Sequence, residues 1–232
     1  FCNTVIQGKQ EYGWDFDWTF QTHASAKFNL TSLKLAKQSG CYMFSYGLES
    51  ASPEVLKSMD KKIRIEQVEE AIDLARQAEI GFSANLIFGD PAETQETWAE
   101  SLAFWLKYGR DRMIFLANLT PYPGSKIFND LKIKDKRIYY EHIDEGVINL
   151  TKIHPGIYGD LLKLTAGLET SWVFAPIALG QADKEDDYYK IKAVCPKCHR
   201  ESIYREKILR FPMRLGTGCL HCHQRMSIEV LK

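Results

Sequence analysis

The 232-residue sequence has no net charge at pH 7, with 30 Lys and Arg matched by 30 Asp and Glu. Global electrostatics therefore single out no partner, neither nucleic acid nor an anionic surface. No apolar run is long enough to cross a bilayer, and no signal-peptide pattern is visible. The sequence lacks an initiator methionine, Phe1 standing first, so a longer polypeptide is expected. Cysteine is scarce: of six, four form two C-x-x-C pairs, while Cys2 and Cys41 stand alone. That usage argues against a disulfide framework and for metal binding in a reducing compartment, the cytoplasm. Up to Lys126 there is no metal-binding triad, which counts against a plain zinc-site hydrolase. Apolar residues make up 45% of the chain, enough to bury a core in one domain plus a small appendage.

Strand and helix patterns alternate four times through residues 15–119. The runs at 15–22, 42–47, 82–89 and 113–119 read as strands. Helices are expected over 30–39, closed by Gly40, from Pro53 behind an N-cap Ser52, over 65–78, and over 94–108, closed by Gly109. This order predicts a parallel sheet with right-handed crossovers. Two of its central strands are near-continuously apolar, as when both faces are buried. Ligands of parallel sheets sit at the strands' carboxyl ends, which predicts one polar rim of Glu49, Ser50, Asn85, Asp90 and Glu93.

GLES (47–50), a short helix, Lys61-Lys62, a long helix, LIFGDPAET (86–94) and LTPYPGS (119–125) follow one another in a familiar order and spacing. Together they resemble the C-terminal half of a radical S-adenosylmethionine (SAM) enzyme. They are similar in particular to the subgroup that often carries a cobalamin-binding domain in front, over about Asp17 to Ser125. The fold so implied is α/β: a partial (β/α) barrel of parallel strands with its N-terminal strands missing. In the family a loop with three cysteines spaced C-x-x-x-C-x-x-C holds a 4Fe-4S cluster, and this sequence contains no such triplet. The first two strands and the cluster loop are therefore expected before Phe1, in a missing N-terminal half. The first strand here is then expected to have an unfilled neighbour, or one filled by another segment.

The resemblance also implies site residues. Glu49 would face the SAM ribose or methionine moiety, where a carboxylate can accept bonds from hydroxyls or the ammonium. Asn85 would point into the barrel towards SAM. Lys61 matches a position that can meet the SAM carboxylate, the alternative being an ordinary lysine between helices. His23 stands where relatives place a polar or charged residue, though arginine or glutamate is the expected type. Asn118 and Tyr122 fall where relatives contact adenine, with packing the alternative for Tyr122. The implied chemistry is reductive cleavage of SAM to a 5′-deoxyadenosyl radical acting on a small-molecule substrate. Where a cobalamin domain precedes, methyl transfer is implied.

Residues 1–126 are thus read as the barrel portion. Residues 127–181 are a C-terminal extension, helical around 161–168 and covering the open side of the barrel, and the acidic stretch 182–190 is a linker. From Ile191 onward, Cys195, Cys198, Cys219 and Cys222 form two knuckles with the spacing of a four-cysteine structural zinc site. Residues 202–209 and 211–215 are expected to pair as the hairpin of a zinc ribbon. His199, His221 and His223 are alternative ligands that four cysteines make unnecessary. This segment holds nine Lys or Arg and three Glu, a net of plus six. A basic ribbon can bind nucleic acid through phosphates or act as a docking or lid module. A barrel scaffold without redox chemistry, using such a ribbon to bind nucleic acid or a protein, is the competing reading.

Overall fold

Four parallel strands stand side by side in the order β1-β2-β3-β4, each linked to the next through helix. They are β1 (Trp18–His23), β2 (Cys41–Glu49), β3 (Gly81–Phe88) and β4 (Met113–Asn118). The computed structural model describes residues 1–23, 26–109, 113–130, 148–171, 176–185, 188–207 and 213–231. Helices α1 (Cys2–Tyr12), α2 (Leu30–Gln38), α3 (Pro53–Ser58), α4 (Ile65–Gln77) and α5 (Gln95–Tyr108) accompany the strands. Then come α6 (Lys126–Asp130) and α7 (Pro155–Ser171).

Local chemistry sets these bounds. Asn29 caps α2 by accepting the Ser32 N–H at 2.8 Å, and Thr94 caps α5 through the Thr97 N–H at 3.3 Å. Ser52 occupies the N-cap position of α3 with Pro53 next, but its side chain makes no cap bond. Helices α3 and α4 both end in Schellman motifs. Lys61 N–H reaches Leu56 O (2.8 Å) and Asp60 N–H reaches Lys57 O (3.1 Å). At α4, Ile80 N–H reaches Ala75 O (3.0 Å) and Glu79 N–H reaches Arg76 O (3.2 Å). Asp60 and Glu79 take the left-handed position with φ of 51° and 56°.

Among the described residues, the helices lie on one face of the sheet. Phe44, Tyr46, Leu48, Phe82, Ala84, Leu86, Phe88, Ile114 and Leu116 are buried there, in a cluster with Leu33, Val68, Ile72 and Trp98. The alternating residues Thr19, Gln21, His23, Ser45, Gly47 and Asn85 face the other way and are exposed or half-buried. Among the described residues, the expected second buried face is therefore not seen. Small polar residues at every second position mark an open face, on which Gln21, Ser45, Ser83 and Met113 share one row.

Among the described residues, α7 packs on the helix side and not across the open face. Trp98 Nε1 donates to Thr165 Oγ1 at 3.1 Å, and the Trp98 ring meets Tyr158 edge-on at 5.8 Å. The charged stretch 132–142 lies outside the described residues. β1 is one edge of the four-strand sheet.

The remaining strands are β5 (Ile177–Glu185), β6 (Tyr188–Val194), β7 (Glu201–Glu206), β8 (Met213–Gly218) and β9 (Arg225–Leu231). They form a second sheet of order β7-β6-β5-β9-β8. Two expectations change here. The acidic stretch read as a linker is carried by β5 and β6, which pair antiparallel from Gly180↔Ala193 to Glu185↔Tyr188. Among its described residues, Asp183, Lys184, Glu185 and Lys190 lie on these strands, and Lys190 offsets Glu185 at 3.4 Å. The two strands between the knuckles do not pair with each other: β7 pairs with β6 and β8 with β9, at opposite edges. β5 and β9 run parallel at the centre, around a core of Ala178, Ile191, Ala193, Met226, Ile228 and Val230.

Candidate functional site and metal centre

At the carboxyl end of β2 the backbone makes a tight reversal. Ser50 N–H donates to Leu48 O at 2.9 Å, a three-residue γ-turn centred on Glu49, whose φ is 68°. Such turns are rare and strained in non-glycine residues. The β2–β3 register slips between Tyr46 and Glu49 as a result. Buried bonds hold the turn: Ser50 Oγ lies 3.2 Å from Ser101 Oγ, Ala51 N–H donates to Ser101 Oγ, and Ser52 N–H donates to Ser50 Oγ.

The turn presents the Glu49 carboxylate to Lys61, which the Schellman motif of α3 brings round, with Nζ to Oε1 at 3.0 Å. Both side chains are about one-fifth exposed. Gly47 leaves the space beside them open, since a Cβ there would stand 3.5 Å from Glu49 Oε1 and 3.6 Å from Lys61 Nζ. His23 is paired in register with Gly47 on the neighbouring strand, and Asn85 is exposed on the same open face of β3. Glu49 and Lys61 are therefore in contact, with His23 and Asn85 on the adjoining strands.

Asn118 is not brought to this face. It pairs in register with Phe88, a residue of the helix-side core, and its Oδ1 is buried without a hydrogen-bond partner among the described residues. Tyr122 is 66% exposed among the described residues. Ser50, Asp90 and Glu93 are likewise buried and do not form the polar rim.

Glu93 folds its turn inward. Its Oε2 accepts the Gly89 N–H at 2.5 Å, its own N–H donates to Asp90 O, and Asp90 Oδ1 accepts the Ala92 N–H. Gly89, with φ of 107°, takes a conformation that L side chains rarely adopt. Burial pushes the Glu93 carboxyl up to about 7; the Gly89 N–H pulls it down and the charge of Asp90 pushes it up again. Burial, and then the charge of Glu93, push the Tyr158 hydroxyl up to about 12. Neither residue has a pattern in the sequence that marks it as buried and titratable.

Stability should accordingly depend on pH through Glu93. Between the ordinary 4.5 and about 7, the folded protein keeps a proton that the unfolded chain has released. That contribution is full below the ordinary value and falls as pH rises, by about 3 kcal/mol across the window. Glu93→Gln should remove it. Urea unfolding at pH 5 and pH 8 checks this, and equal pH dependence in variant and parent would refute it.

The four cysteines of the knuckles converge, with all sulfurs within 4.8 Å of one another. Cys195 and Cys222 Sγ are 3.7 Å apart, and Cys198 and Cys219 Sγ 3.6 Å. Four thiolates at 2.3 Å from one ion stand about 3.8 Å apart along a tetrahedral edge, so the donor set fits a single tetrahedral metal ion. It is too tight to enclose a four-iron cube. The knuckles repeat one local design. Lys197 N–H points at Cys195 Sγ and His221 N–H at Cys219 Sγ, each at 3.4 Å, and His199 and His223 follow at φ of 57° and 58°.

The histidines hold carbonyls. His221 Nε2 lies 2.8 Å from Glu201 O and His223 Nε2 2.9 Å from Glu79 O. The second contact places the module at the start of β3, the amino end of the sheet. The lid expectation is corrected by this placement, since Glu49 lies at the opposite end. The positive charge is also less concentrated than its count suggests. Arg225, one of the nine basic residues counted, is buried.

Residues 18–104 match the sequence model of the radical SAM superfamily. The matched segment holds β1 to β3 and most of α5, with Glu49, Lys61 and Asn85 inside it. The chain is 33% identical over 120 residues to an uncharacterized methyltransferase of Pyrococcus horikoshii, covering 52% of this chain and 26% of that protein. It is 28% identical over 158 residues to the bacteriochlorophyllide d C-12(1)-methyltransferase of Chlorobaculum tepidum, covering 61% and 34%. The match thus spans about a quarter to a third of the length of these two relatives. Among solved structures, the coproporphyrinogen III oxidase of Escherichia coli, a radical SAM enzyme, matches with a TM-score of 0.51 at 20% identity. The match covers 73% of this chain and 36% of that one, and the likeness is one of fold. The four-strand sheet is accordingly the radical SAM partial barrel, with a C-terminal sheet holding the four-cysteine cluster. No helix among the described residues is long and apolar enough to cross a membrane.

Proposed function

We propose that the open face at the carboxyl ends of β1 to β3 is the SAM-binding portion of a radical SAM enzyme. The observation carrying this reading is the Glu49–Lys61 pair beside the cradle at Gly47. One carboxylate and one ammonium in contact offer the complement of an amino-acid zwitterion: Glu49 accepts from the SAM ammonium and Lys61 donates to its carboxylate. The γ-turn fixes Glu49 before the ligand arrives, which lowers the ordering cost of binding. Asn85 supplies an amide on the same face and His23 a ring on the next strand.

In this superfamily a reduced 4Fe-4S cluster supplies the electron that cleaves SAM. The residues present do not fit that cluster, because no C-x-x-x-C-x-x-C occurs and the knuckle sulfurs are too close together. In this reading the cluster ligands belong to another part of the polypeptide, and the knuckle cysteines hold structural zinc. The two methyltransferase relatives support methyl transfer as the reaction, with cobalamin carrying the methyl group in the subgroup resembled. A small-molecule substrate is the expected acceptor.

The test is SAM binding by calorimetry to the protein and to its Glu49→Ala and Lys61→Ala variants. Loss of one charge-assisted contact should weaken binding about 10- to 100-fold. In the full-length, cluster-loaded protein, formation of 5′-deoxyadenosine should fall in parallel. Unchanged affinity in both variants would refute the site.

A further inference from the structure

The four-cysteine module seats on the amino ends of the barrel strands, and several contacts make that seat close. His223, directly after the last knuckle cysteine, has its Nε2 2.9 Å from the carbonyl of Glu79. That carbonyl belongs to the left-handed residue closing α4, just before β3 begins. Gly81, the first residue of β3, is closely hemmed in: a Cβ would lie 3.0 Å from His223 Nδ1, 3.0 Å from Tyr42 O and 3.1 Å from Met43 Cγ. On β4, Met113 approaches Gly218, one residue before Cys219, and a Cβ at Gly218 would lie 3.7 Å from its sulfur. A cleft of about 290 Å³ between the two units is lined by Met43, Phe82, Met113, Tyr204, Leu220 and His223.

The residues making this seat are immediate neighbours of the metal-binding cysteines. The His223 N–H donates to Cys219 O at 3.0 Å, and the Cys219 N–H to Gln224 O at 2.9 Å. The loop presenting His223 and Gly218 is thus the second knuckle itself. From this placement we infer that the module is a metal-dependent base for the partial barrel: occupancy of the four-cysteine site stabilises the amino ends of β2, β3 and β4 through the His223 and Gly218 seat. Metal organises the knuckle, the knuckle sets His223 against Glu79, and the strand ends open less often. This resembles linkage by any ligand that binds only the folded form, here acting across an internal interface. It rests on metal binding by the cysteines and is independent of the SAM reading.

Amide hydrogen exchange on the zinc-loaded and chelated protein tests it, with zinc content measured alongside. Chelation should reduce protection about tenfold at 42–44, 81–83 and 113–114, besides removing it from 191–230. In His223→Ala, whose four cysteines are intact, zinc should remain near one equivalent while the effect of chelation on the barrel amides shrinks below about threefold. Met113→Ala should act in the same direction. Zinc binding with barrel protection unchanged on chelation would overturn the coupling alone. The same effect in His223→Ala as in the parent would overturn the assigned route. A protein that takes up no zinc would overturn the metal reading on which both depend.

Discussion

Cys219→Ser should leave residues 177–231 without a stable fold. The sheet of β5 to β9 encloses few large side chains, chiefly Ile191, Met226, Ile228 and Val230, beside small ones such as Ala178 and Ala193. A unit of this size buries too little apolar surface to offset the ordering of its chain. Structural zinc in such modules contributes about 10–16 kcal/mol of apparent binding free energy at neutral pH, which becomes folding free energy. Losing one thiolate leaves an open coordination position and loses most of that affinity. The expected result is a fall from one bound zinc to near none, with rapid proteolysis between Tyr188 and Leu231. Retention of stoichiometric zinc and of protease resistance by the serine variant would show that apolar packing alone suffices.

Trp98→Ala should cost about 3–5 kcal/mol of stability, in the range of large-to-small core substitutions. Trp98 is fully buried and joins three elements. Its ring lies 4.6 Å from that of Phe88 at the end of β3 and meets Tyr158 of α7 edge-on, and its Nε1 donates to Thr165 Oγ1. Truncation opens a cavity under Phe88 and removes the contacts that hold α7. Trp98→Phe keeps most of the packing and loses the hydrogen bond, so it should cost about 1 kcal/mol. Thr165 keeps a partner in that case, since its hydroxyl donates to Leu161 O at 2.8 Å. Denaturant unfolding of the three proteins gives the comparison. A cost below about 1 kcal/mol for the alanine variant would mean that α7 collapses onto the vacancy.

The alternation of strands and helices could be read directly because its signals are local. Amphipathic spacing marked α4, Gly40 followed α2, and Thr94 opened α5. The knuckles were legible for the same reason, four cysteines in two short pairs. The open face was harder to see. Ser45, Gly47, Ser83 and Asn85 are small interruptions in apolar runs, and they mean something only once register sets them side by side. The strain at Glu49 depends on Ser101, fifty-two residues further along, which no local pattern connects to GLES. Glu93 is invisible in another way: a glutamate in a proline-containing turn looks solvated until Tyr158 and the Gly89 N–H enclose it. The strands of the module were misassigned because neighbours in sequence usually pair, whereas β7 and β8 lie at opposite edges.

The parallel pairing of β5 with β9 also fixes an order of events. β9 lies between β5 and β8, so the middle of this sheet stays open until residues 225–231 have been made. During synthesis Cys195 and Cys198 emerge first and wait for Cys219 and Cys222, and β5 waits longer for its inner neighbour. Sequence-distant pairing of this kind is slow to form. Metal capture by all four thiols therefore waits for residues 219–222, and the Cys195 and Cys198 thiols are exposed to oxidation for that interval.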